Sequence, residues 1–511
     1  MQKNKVGLST GIFLVMGSMI GSGVYIVSAG VAQALANPML LILVWITTGI
    51  LTVIAATSYA ELSAMFPKSG GQYVYLKEAF NPLMGFLYGW SLFAVIQTGT
   101  IAAVAVAFAK FTAVLVPWFG ADNVLLTVPF PNLSRVFFGE VSMGIVPIDA
   151  GQLLAVLSIV MLTYINSRGI RYGAVVQSSL TIIKALTLIL LIIATIFIFS
   201  NADAIATNFH DFFSFSKTVW KEKGWTVYPP EAAVNHIAVT TESWTWLALL
   251  SAFGAAMVGP LFSSDAWNGV TFIAGEMENP KKNVARSLII GVGGVTLLYV
   301  LTNLGYLFVL PMWGTEGATT LAGRGIQYAE YERVGTAAMQ VMLGASGAIV
   351  MAVLIMISTF GANNGIVLSG ARVYQTMAND GLFFRKMAES NKQQVPGFSL
   401  WVQCIWASLL CLSGHYGELL DYVMFVVILF YILTIAGLFI LRFKQPKADR
   451  PYKAFGYPVL PAFYIIAMIG FIVNLLIVKP EFTVPGLIIV LIGIPVYFLW
   501  KFVHSKNAPK L

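Results

Sequence analysis

The chain has 511 residues, of which 58% are hydrophobic and 10% are charged, and its mean hydropathy is +0.81. These proportions exclude a soluble globular protein of this size, because too few charged side chains exist to cover its surface. We therefore expect an all-α polytopic membrane protein embedded in a lipid bilayer. The net charge of +8 is interpreted as a topology signal, and no nucleic-acid partner is expected.

Apolar stretches near the roughly 20 residues that a helix needs to cross the hydrocarbon recur along the chain. They predict about twelve membrane spans, numbered here from 1 in chain order. No cleavable signal peptide is expected, since span 1 follows a short leader directly and lacks a small-residue exit site. The spans are predicted to begin near Gly7, Leu40, Leu83, Leu153, Ala174, Trp244, Ser287, Gly335, Leu400, Leu419, Val459 and Val484.

The distribution of basic residues predicts the orientation of the chain. With the N-terminus in the cytoplasm, 21 of the 30 Lys and Arg residues fall in cytoplasmic segments and 7 in the opposite ones. The positive-inside rule therefore places both termini in the cytoplasm of a multi-pass protein of the cell's inner (plasma) membrane.

Several chemistries lack the residues that they need. No glycine-rich loop ends in Gly-Lys-Ser/Thr, so ATP-driven transport is not expected. The four histidines lack metal-like spacing, and Cys404 and Cys411 are interpreted as packing residues. No catalytic constellation lies within the spans, so we expect neither an enzyme nor a cofactor or metal.

Span 1 is interrupted by small residues. Gly17, Gly21 and Gly23 occur within seven residues, with serines between them. This composition weakens a helix, and non-helical backbone at membrane depth survives only where it is buried in protein or lines a cavity. The break therefore predicts a solute site near the midplane. A small-residue packing face between two helices is the alternative.

Span 6 carries a second interruption. Gly259 and Pro260 are followed by a polar stretch at 263–265 in a hydrophobic surround, which predicts a kink or an unwound turn. Interrupted spans at corresponding positions of two five-helix halves indicate an inverted-repeat transporter with its substrate at the repeat interface. Two unrelated kinks are the alternative.

Short motifs between residues 7 and 460 carry a family resemblance. They are residues 20–25 (IGSGVY), 59–62 (YAEL) with 67–71 (PKSGG), Phe262 with Trp267 and Asn268, 276–280 (EMENP), 360–365 (FGANNG) and 450–452 (RPY). In combination they resemble the LAT-type branch of the amino acid, polyamine and organocation transporter superfamily, in a prokaryote-like form.

The resemblance implies a LeuT-like fold and sodium-independent exchange of amino acids. Spans 1–5 (about 7–200) and 6–10 (about 244–442) would form the inverted repeats of a single transporter domain, with spans 11 and 12 (about 458–503) peripheral. A proton-coupled amino acid permease and a polyamine permease remain alternatives within transport. A transporter-like nutrient sensor is the alternative outside it.

The two breaks suit the two ends of a zwitterion. Backbone N–H groups at the start of the outer half of span 1 suit an α-carboxylate, because the N-terminus of a helix carries partial positive charge. Carbonyls released beside each break suit an α-ammonium group, and the aromatic rings of span 6 would close over the side chain or simply pack. The substrate-binding candidates are Ile20, Gly21, Ser22, Gly23, Phe262, Ser263, Asp265 and Trp267.

Lys184 lies about ten residues into span 5, where a lysine is expensive and a functional role is the default interpretation. The resemblance implies that its ammonium replaces the sodium ion of coupled relatives and joins spans 1, 5 and 8. The alternative is a side chain that reaches the cytoplasmic face.

Further polar residues are candidates for a cavity or an inner gate. The resemblance places Glu61 and Arg372 at the cytoplasmic ends of spans 2 and 8, where they are gate residues or solvated anchors. Asn363 and Asn364 in span 8 either face Lys184 or the cavity, or form interhelical hydrogen bonds.

Asp265 is expensive at the span 6 break unless it is protonated, paired or used to meet a charged ligand. LAT-type members that take large neutral substrates tend to have glycine at the matching place, and members that accept cationic amino acids can carry aspartate there. Asp265 therefore predicts tolerance of substrates with a donor or positive charge on the side chain. A helix-capping role is the alternative.

Two loops depart from the family. The outer loop 117–150 contains no cysteine, whereas animal members use one there for a disulfide to a single-span partner, so no disulfide-linked heavy chain is expected. The segment 201–243 is longer than expected and is predicted to form a small extracytoplasmic cap.

Overall fold

The computed structural model describes residues 6–120, 122–131, 143–210, 212–213, 216–221, 238–413 and 416–506. Within these residues, eleven helical stretches are long and apolar enough to cross a membrane, and a shorter apolar helix at Gly397–Leu412 occupies the place of span 9. The predicted all-α polytopic architecture is confirmed.

The helices of the first half begin and end close to the predicted positions. Span 1 consists of Leu8–Met19 and Gly23–Leu35, span 2 is Pro38–Met65, and span 3 runs through Pro82–Ser91, a π-helical turn at Leu92–Ile96, and Gln97–Leu115. Span 4 is Ala150–Ser167, and span 5 is Ile170–Ile193 with a π-helical turn at Ala194–Ile198.

The second half begins with the divided span 6, which consists of Trp246–Ala256, Val258–Ser263 and Gly269–Phe272. Spans 7 to 9 are Pro280–Val309, Val334–Asn379 and Gly397–Ser413. Spans 10 to 12 are Tyr416–Lys444, Val459–Val478 and Pro480–Lys506.

Several spans begin at residues whose side chains accept hydrogen bonds from the first helical turn. Asn37 accepts from the N–H of Leu40, and Asn81 accepts from the N–H of Met84, each directly before a proline. These caps satisfy donors that a helix start leaves free, and the proline has no donor to lose.

Span 8 differs from the prediction at its outer end. The sequence predicts this span from Gly335, but Gly344 has φ +64 and interrupts the helix Val334–Asn379. Because the backbone is left-handed at Gly344, the helix that reaches the centre of the molecule starts after this residue. Hydropathy could not separate the two segments, since both are apolar.

The predicted outer loops contain two β-hairpins. In loop 117–150, β1 (Val124–Pro131) pairs antiparallel with β2 (Met143–Asp149). In segment 201–243, the helix Ala202–Phe209 precedes β3 (Ser216–Lys221), which pairs with β4 (Ala238–Ser243). Residues 222–237 of the predicted cap lie outside the described residues.

Span 1 lies at the centre of the bundle. Its most apolar window is 83% buried, whereas the corresponding window of span 11 is 28% buried. The inner half of span 1 packs on spans 5, 7 and 8, and span 7 packs along span 2. A break at residues 20–22 is therefore surrounded by protein.

Candidate functional site

The break in span 1 leaves backbone N–H groups without an acceptor in the described chain. Ile20 has an extended backbone (ψ 93), and helix resumes at Gly23. Among the described residues, no acceptor pairs with the N–H groups of Gly21, Ser22 and Gly23, which are all buried. These donors lie at the N-terminal end of Gly23–Leu35, where an anion is stabilised.

The break in span 6 touches the break in span 1. Helix ends at Ser263, and Ala266 has φ +62, a left-handed conformation that is uncommon outside glycine. A Cβ atom on Gly23 would lie 2.0 Å from Ser263 Oγ. Only glycine at this position therefore permits the observed approach of the two breaks.

Tyr299 on span 7 joins the two breaks and was missed by the sequence analysis. Its hydroxyl is 2.7 Å from the Met19 carbonyl oxygen and 3.1 Å from that of Ser263, and it donates to them. Two of the carbonyls that the sequence assigned to an α-ammonium group thus already face a donor, although a carbonyl oxygen has a second lone pair. No pattern distinguishes this tyrosine from other aromatic residues in apolar helices.

Lys184 is buried against the same break. Its Nζ donates to the carbonyl oxygens of Gly17 (2.5 Å) and Ile20 (3.0 Å), and the residue is 1% exposed. Ser358 on span 8 donates to the Ile20 oxygen at 3.2 Å. A Cβ on Gly361 would lie 2.8 Å from Lys184 Cε, so spans 1, 5 and 8 meet at this ammonium group.

The two asparagines of span 8 point to other helices. Asn363 donates to the Ile101 carbonyl on span 3 (3.2 Å). Asn364 donates to the Gly173 carbonyl on span 5 (3.1 Å) and accepts from Asn166 on span 4 (2.9 Å). Both asparagines therefore form interhelical hydrogen bonds, the alternative to facing Lys184 or the cavity.

Asp265 is buried within the span 6 break and faces span 10. Its Oδ1 accepts a hydrogen bond from the Tyr431 hydroxyl at 2.5 Å, and the backbone N–H of Ala266 also interacts with the carboxylate. The carboxylate is therefore paired with a neutral phenol as well as with the backbone of its own break.

A small cavity, with about 30 Å³ of space for water-sized molecules, lies beside Asp265. Span 3 supplies polar lining residues on either side of its π-helical turn, Tyr88 and Gln97, and Gln72 also lines the cavity. Among the described residues, Tyr88 Oη and Gln72 Nε2 have no hydrogen-bond partner. The cavity thus offers one carboxylate and two buried polar groups to a ligand.

The aromatic candidates of span 6 are both buried. Trp267 packs edge-on against Tyr59 (ring centroids 4.8 Å apart) and lies 5.3 Å from the Tyr431 ring. Phe262 is 8% exposed and belongs to the same core. Trp267 therefore packs against other aromatic rings, which is the alternative to closing over the substrate side chain. One of these rings is that of Tyr431.

Glu61 is fully buried near the C-terminal end of span 2 and holds span 10. Its carboxylate accepts from Arg442 at 2.6 and 2.9 Å and from the Ala454 N–H at 2.7 Å, and Arg450 lies 3.3 Å away. Burial and this carboxylate raise the pKa of Tyr452. The arrangement is an anchor between two spans and the following loop.

Arg372 pairs with a different carboxylate. Its Nε donates to Glu276 Oε1 at 2.8 Å, which joins span 8 to the segment after span 6. The backbone of Val6 also hydrogen-bonds to Glu276 and Glu278 at 2.9 Å. The start of span 1, span 6 and span 8 are thus linked on this side of the molecule.

The remaining chemistry of the described chain is sparse. No group of three or more His, Cys, Asp or Glu side chains within it could hold a metal ion. Cys404 and Cys411 are free thiols buried on span 9.

Comparisons with known proteins agree with these features. A model of the family described as amino acid permease matches residues 6–500. The chain is 29% identical to large neutral amino acids transporter small subunit 2 of Mus musculus, over 99% of this chain and 82% of the relative. It is 27% identical to Asc-type amino acid transporter 1 of Mus musculus, with the same coverage.

A third relative is b(0,+)-type amino acid transporter 1 of Mus musculus, which is 26% identical over 99% of this chain and 89% of the relative. These matches run along nearly the whole chain. The LAT-type resemblance carried by the short motifs is therefore confirmed.

Proposed function

Because the chain belongs to the amino acid permease family and transports amino acids, we propose that it exchanges them by alternating access without bound sodium. The observation that carries this proposal is Lys184, whose ammonium donates to the Gly17 and Ile20 carbonyls beside the span 1 break. Backbone carbonyls at a broken helix are where transporters coordinate Na⁺. A fixed ammonium group supplies the positive charge there permanently.

The break geometry supports a division of roles in binding. The N–H groups of Gly21, Ser22 and Gly23 hold the α-carboxylate, and free acceptor capacity at the Met19 and Ser263 carbonyls, each of which faces one donor, serves the α-ammonium group. Because one zwitterion bridges both spans, its binding couples the movement of span 1 to that of span 6. Substrate binding then favours the state in which the two breaks are closest.

The test uses purified protein in proteoliposomes loaded with unlabelled amino acid. Uptake of labelled amino acid should require the internal load and should proceed equally in sodium and choline media. Strict sodium dependence contradicts the proposal. Uptake into empty vesicles driven by a pH gradient favours the proton-coupled alternative, for which the buried Asp265 carboxylate is the supporting observation.

Lys184 itself is tested by Lys184→Met, which keeps the length of the side chain and removes its charge. We expect a fall in exchange of about tenfold or more, since a hydrogen bond to a charged group contributes about 1.5–3 kcal/mol. Added sodium should not restore exchange by this variant. Ser358→Ala removes a weaker donor to the Ile20 carbonyl, so exchange should fall less in that variant. Exchange at the wild-type rate in Lys184→Met contradicts the assignment.

We further propose that Asp265 meets the substrate side chain. The carboxylate borders the cavity and therefore suits a side chain with a donor or a positive charge. Arginine, lysine and ornithine should compete with a labelled substrate, and Asp265→Asn should weaken this competition. If they never compete, or compete equally with both proteins, the recognition role fails and a structural role remains.

The expected orientation places both termini in the cytoplasm of the cell's inner (plasma) membrane, and the distribution of basic residues supports it. The absence of cysteine from loop 117–150 supports function without a disulfide-linked heavy chain. Exchange by the purified chain alone tests whether it functions without a heavy chain. Labelling of cysteines introduced near each terminus, from either side of the membrane, tests the orientation.

A further inference from the structure

Tyr431 on span 10 holds one oxygen of the Asp265 carboxylate. The distance from its hydroxyl to Asp265 Oδ1 is 2.5 Å, and Tyr431 is 5% exposed. A hydroxyl that donates to a carboxylate forms a short, strong hydrogen bond. The oxygen that accepts this bond has less capacity left for a ligand.

The Tyr431 ring is fixed from two sides. Its centroid lies 5.7 Å from that of Tyr59 on span 2 and 5.3 Å from that of Trp267 on span 6. Three turns further along span 10, Arg442 is bound by Glu61. The hydroxyl therefore cannot turn away from Asp265 without disturbing the aromatic packing.

Tyr431 and Asp265 border the same cavity, so a ligand side chain that reaches the carboxylate meets both of them. Cationic side chains differ in what they require there. A guanidinium group binds a carboxylate best through two parallel N–H donors that use both oxygens, whereas an ammonium group needs one oxygen as a point charge. A carboxylate with one oxygen already engaged disfavours the first mode more than the second.

We propose that Tyr431 is a specificity-determining residue that acts through Asp265, and that it selects ammonium side chains against guanidinium side chains. This inference rests on the proposed role of Asp265 in meeting the substrate side chain. It assigns to a span 10 hydroxyl the discrimination between lysine-like and arginine-like substrates.

The test measures the affinities of L-arginine and L-lysine from the shift that each causes in the melting temperature of the purified protein. In Tyr431→Phe, both Asp265 oxygens become available, and the affinity for arginine relative to lysine should rise about tenfold, a change within the range of one charged hydrogen bond. The matched control is Tyr374→Phe on span 8. Its hydroxyl is buried, has no partner among the described residues and does not line the cavity, so the ratio should stay at the wild-type value.

The Asp265→Asn background separates the two proposals. If Asp265→Asn alters the binding of neither cationic amino acid, both the role of Asp265 and this inference fail. If it weakens their binding but Tyr431→Phe leaves the ratio unchanged, the inference fails alone. If Tyr431→Phe raises the ratio equally with and without Asp265, the tyrosine acts through cavity shape, which also overturns it. A rise that requires Asp265 supports the inference.

Discussion

At the scale of single residues, Gly23 decides whether the two helix breaks can touch. The Ser263 side chain occupies the space that a Cβ atom on Gly23 would need. A Cβ on Gly21, in contrast, would lie 3.7 Å from Ala362 Cβ, which is an ordinary contact. A residue larger than glycine at position 23 would meet the Ser263 side chain, so it acts first on stability.

We therefore expect Gly23→Ala to lower the free energy of unfolding by about 1–3 kcal/mol, the usual cost of overpacking. Gly21→Ala should leave the melting temperature near that of the wild type. The double variant Gly23→Ala/Ser263→Gly removes the opposing side chain and should recover part of the loss. Thermal unfolding in detergent measures all three. Equal melting temperatures for Gly21→Ala and Gly23→Ala would show that the breaks do not depend on this contact.

Some of the residues that the sequence predicted at the site are of a type that is costly in a membrane. Lys184 and Asp265 stood out because an ionisable group in an apolar span needs a partner. Tyr299 and Tyr431 did not, because tyrosine is common in such helices and its hydrogen bonds come from helices that are distant in sequence. Their roles could be found only once spans 7 and 10 were placed beside the breaks.

At the scale of helices, the anchor between spans 2 and 10 controls where Tyr431 lies. Glu61 is 0% exposed and binds the Arg442 guanidinium through two hydrogen bonds. Removing Glu61 leaves Arg450 (9% exposed) and Arg442 (23% exposed) without their carboxylate. The loss typically costs about 3–5 kcal/mol when both charges are fully buried, and it costs less here because Arg442 is partly exposed. The sequence interpretation of Glu61 as a gate or a solvated anchor did not include this pairing, because Arg442 is 381 positions away.

Glu61→Gln should thus lower the melting temperature strongly, and the double variant Glu61→Gln/Arg442→Gln should cost less than the sum of the single changes. The matched control is Lys281→Gln. Its ion pair with Asp449 joins the first turn of span 7 to the loop after span 10 but is exposed on both side chains (53% and 73%), and such pairs contribute little. Additive effects of Glu61→Gln and Arg442→Gln in thermal unfolding would contradict the anchor.

Helix positions were predictable to within a few residues, and the exceptions share a cause. The helix Gln72–Ala79 follows the motif at 67–71 but has low hydropathy, and the kink at Gly344 lies between two apolar segments. Strands β1 to β4 lie outside the membrane, where hydropathy carries no signal. Each of these features depends on tertiary contacts or local backbone geometry rather than on burial in lipid.

At the scale of the whole molecule, ion pairs near both ends tie span 8, or the loop before it, to other parts of the bundle. Near one end, Arg372 on span 8 binds Glu276, which follows span 6. Near the other, Lys110 on span 3 lies 3.3 Å from Glu332, in the loop before span 8. Neutral hydrogen bonds tie the loop before span 8 to the second half of span 1, Gly23–Leu35. One of them runs from Gln33 Nε2 to the Gln327 carbonyl oxygen at 2.7 Å.

The two breaks and the motifs were enough to predict a polytopic transporter of this family, because a transporter lines its site with irregular backbone. The pairs that close each end were not predictable. Charges at the ends of spans look alike in a sequence, and Lys110 and Glu332 are 222 positions apart.

If the molecule alternates between two states, weakening one end should shift the balance in the opposite direction from weakening the other. Glu332→Gln removes the charge of the outer pair and favours the outward-open state, so the apparent KM for substrate presented from outside should fall. Arg372→Gln loosens the inner pair, favours the inward-open state and should raise that KM. Because a ligand's apparent affinity scales with the population of the competent state, shifts of about twofold to tenfold in the apparent KM are expected.

The apparent KM of the double variant should return towards the wild-type value, since the two changes act on one equilibrium. Initial rates of uptake into right-side-out membrane vesicles measure these constants, and shifts of the same sign in both single variants would show that the pairs stabilise the fold without controlling access.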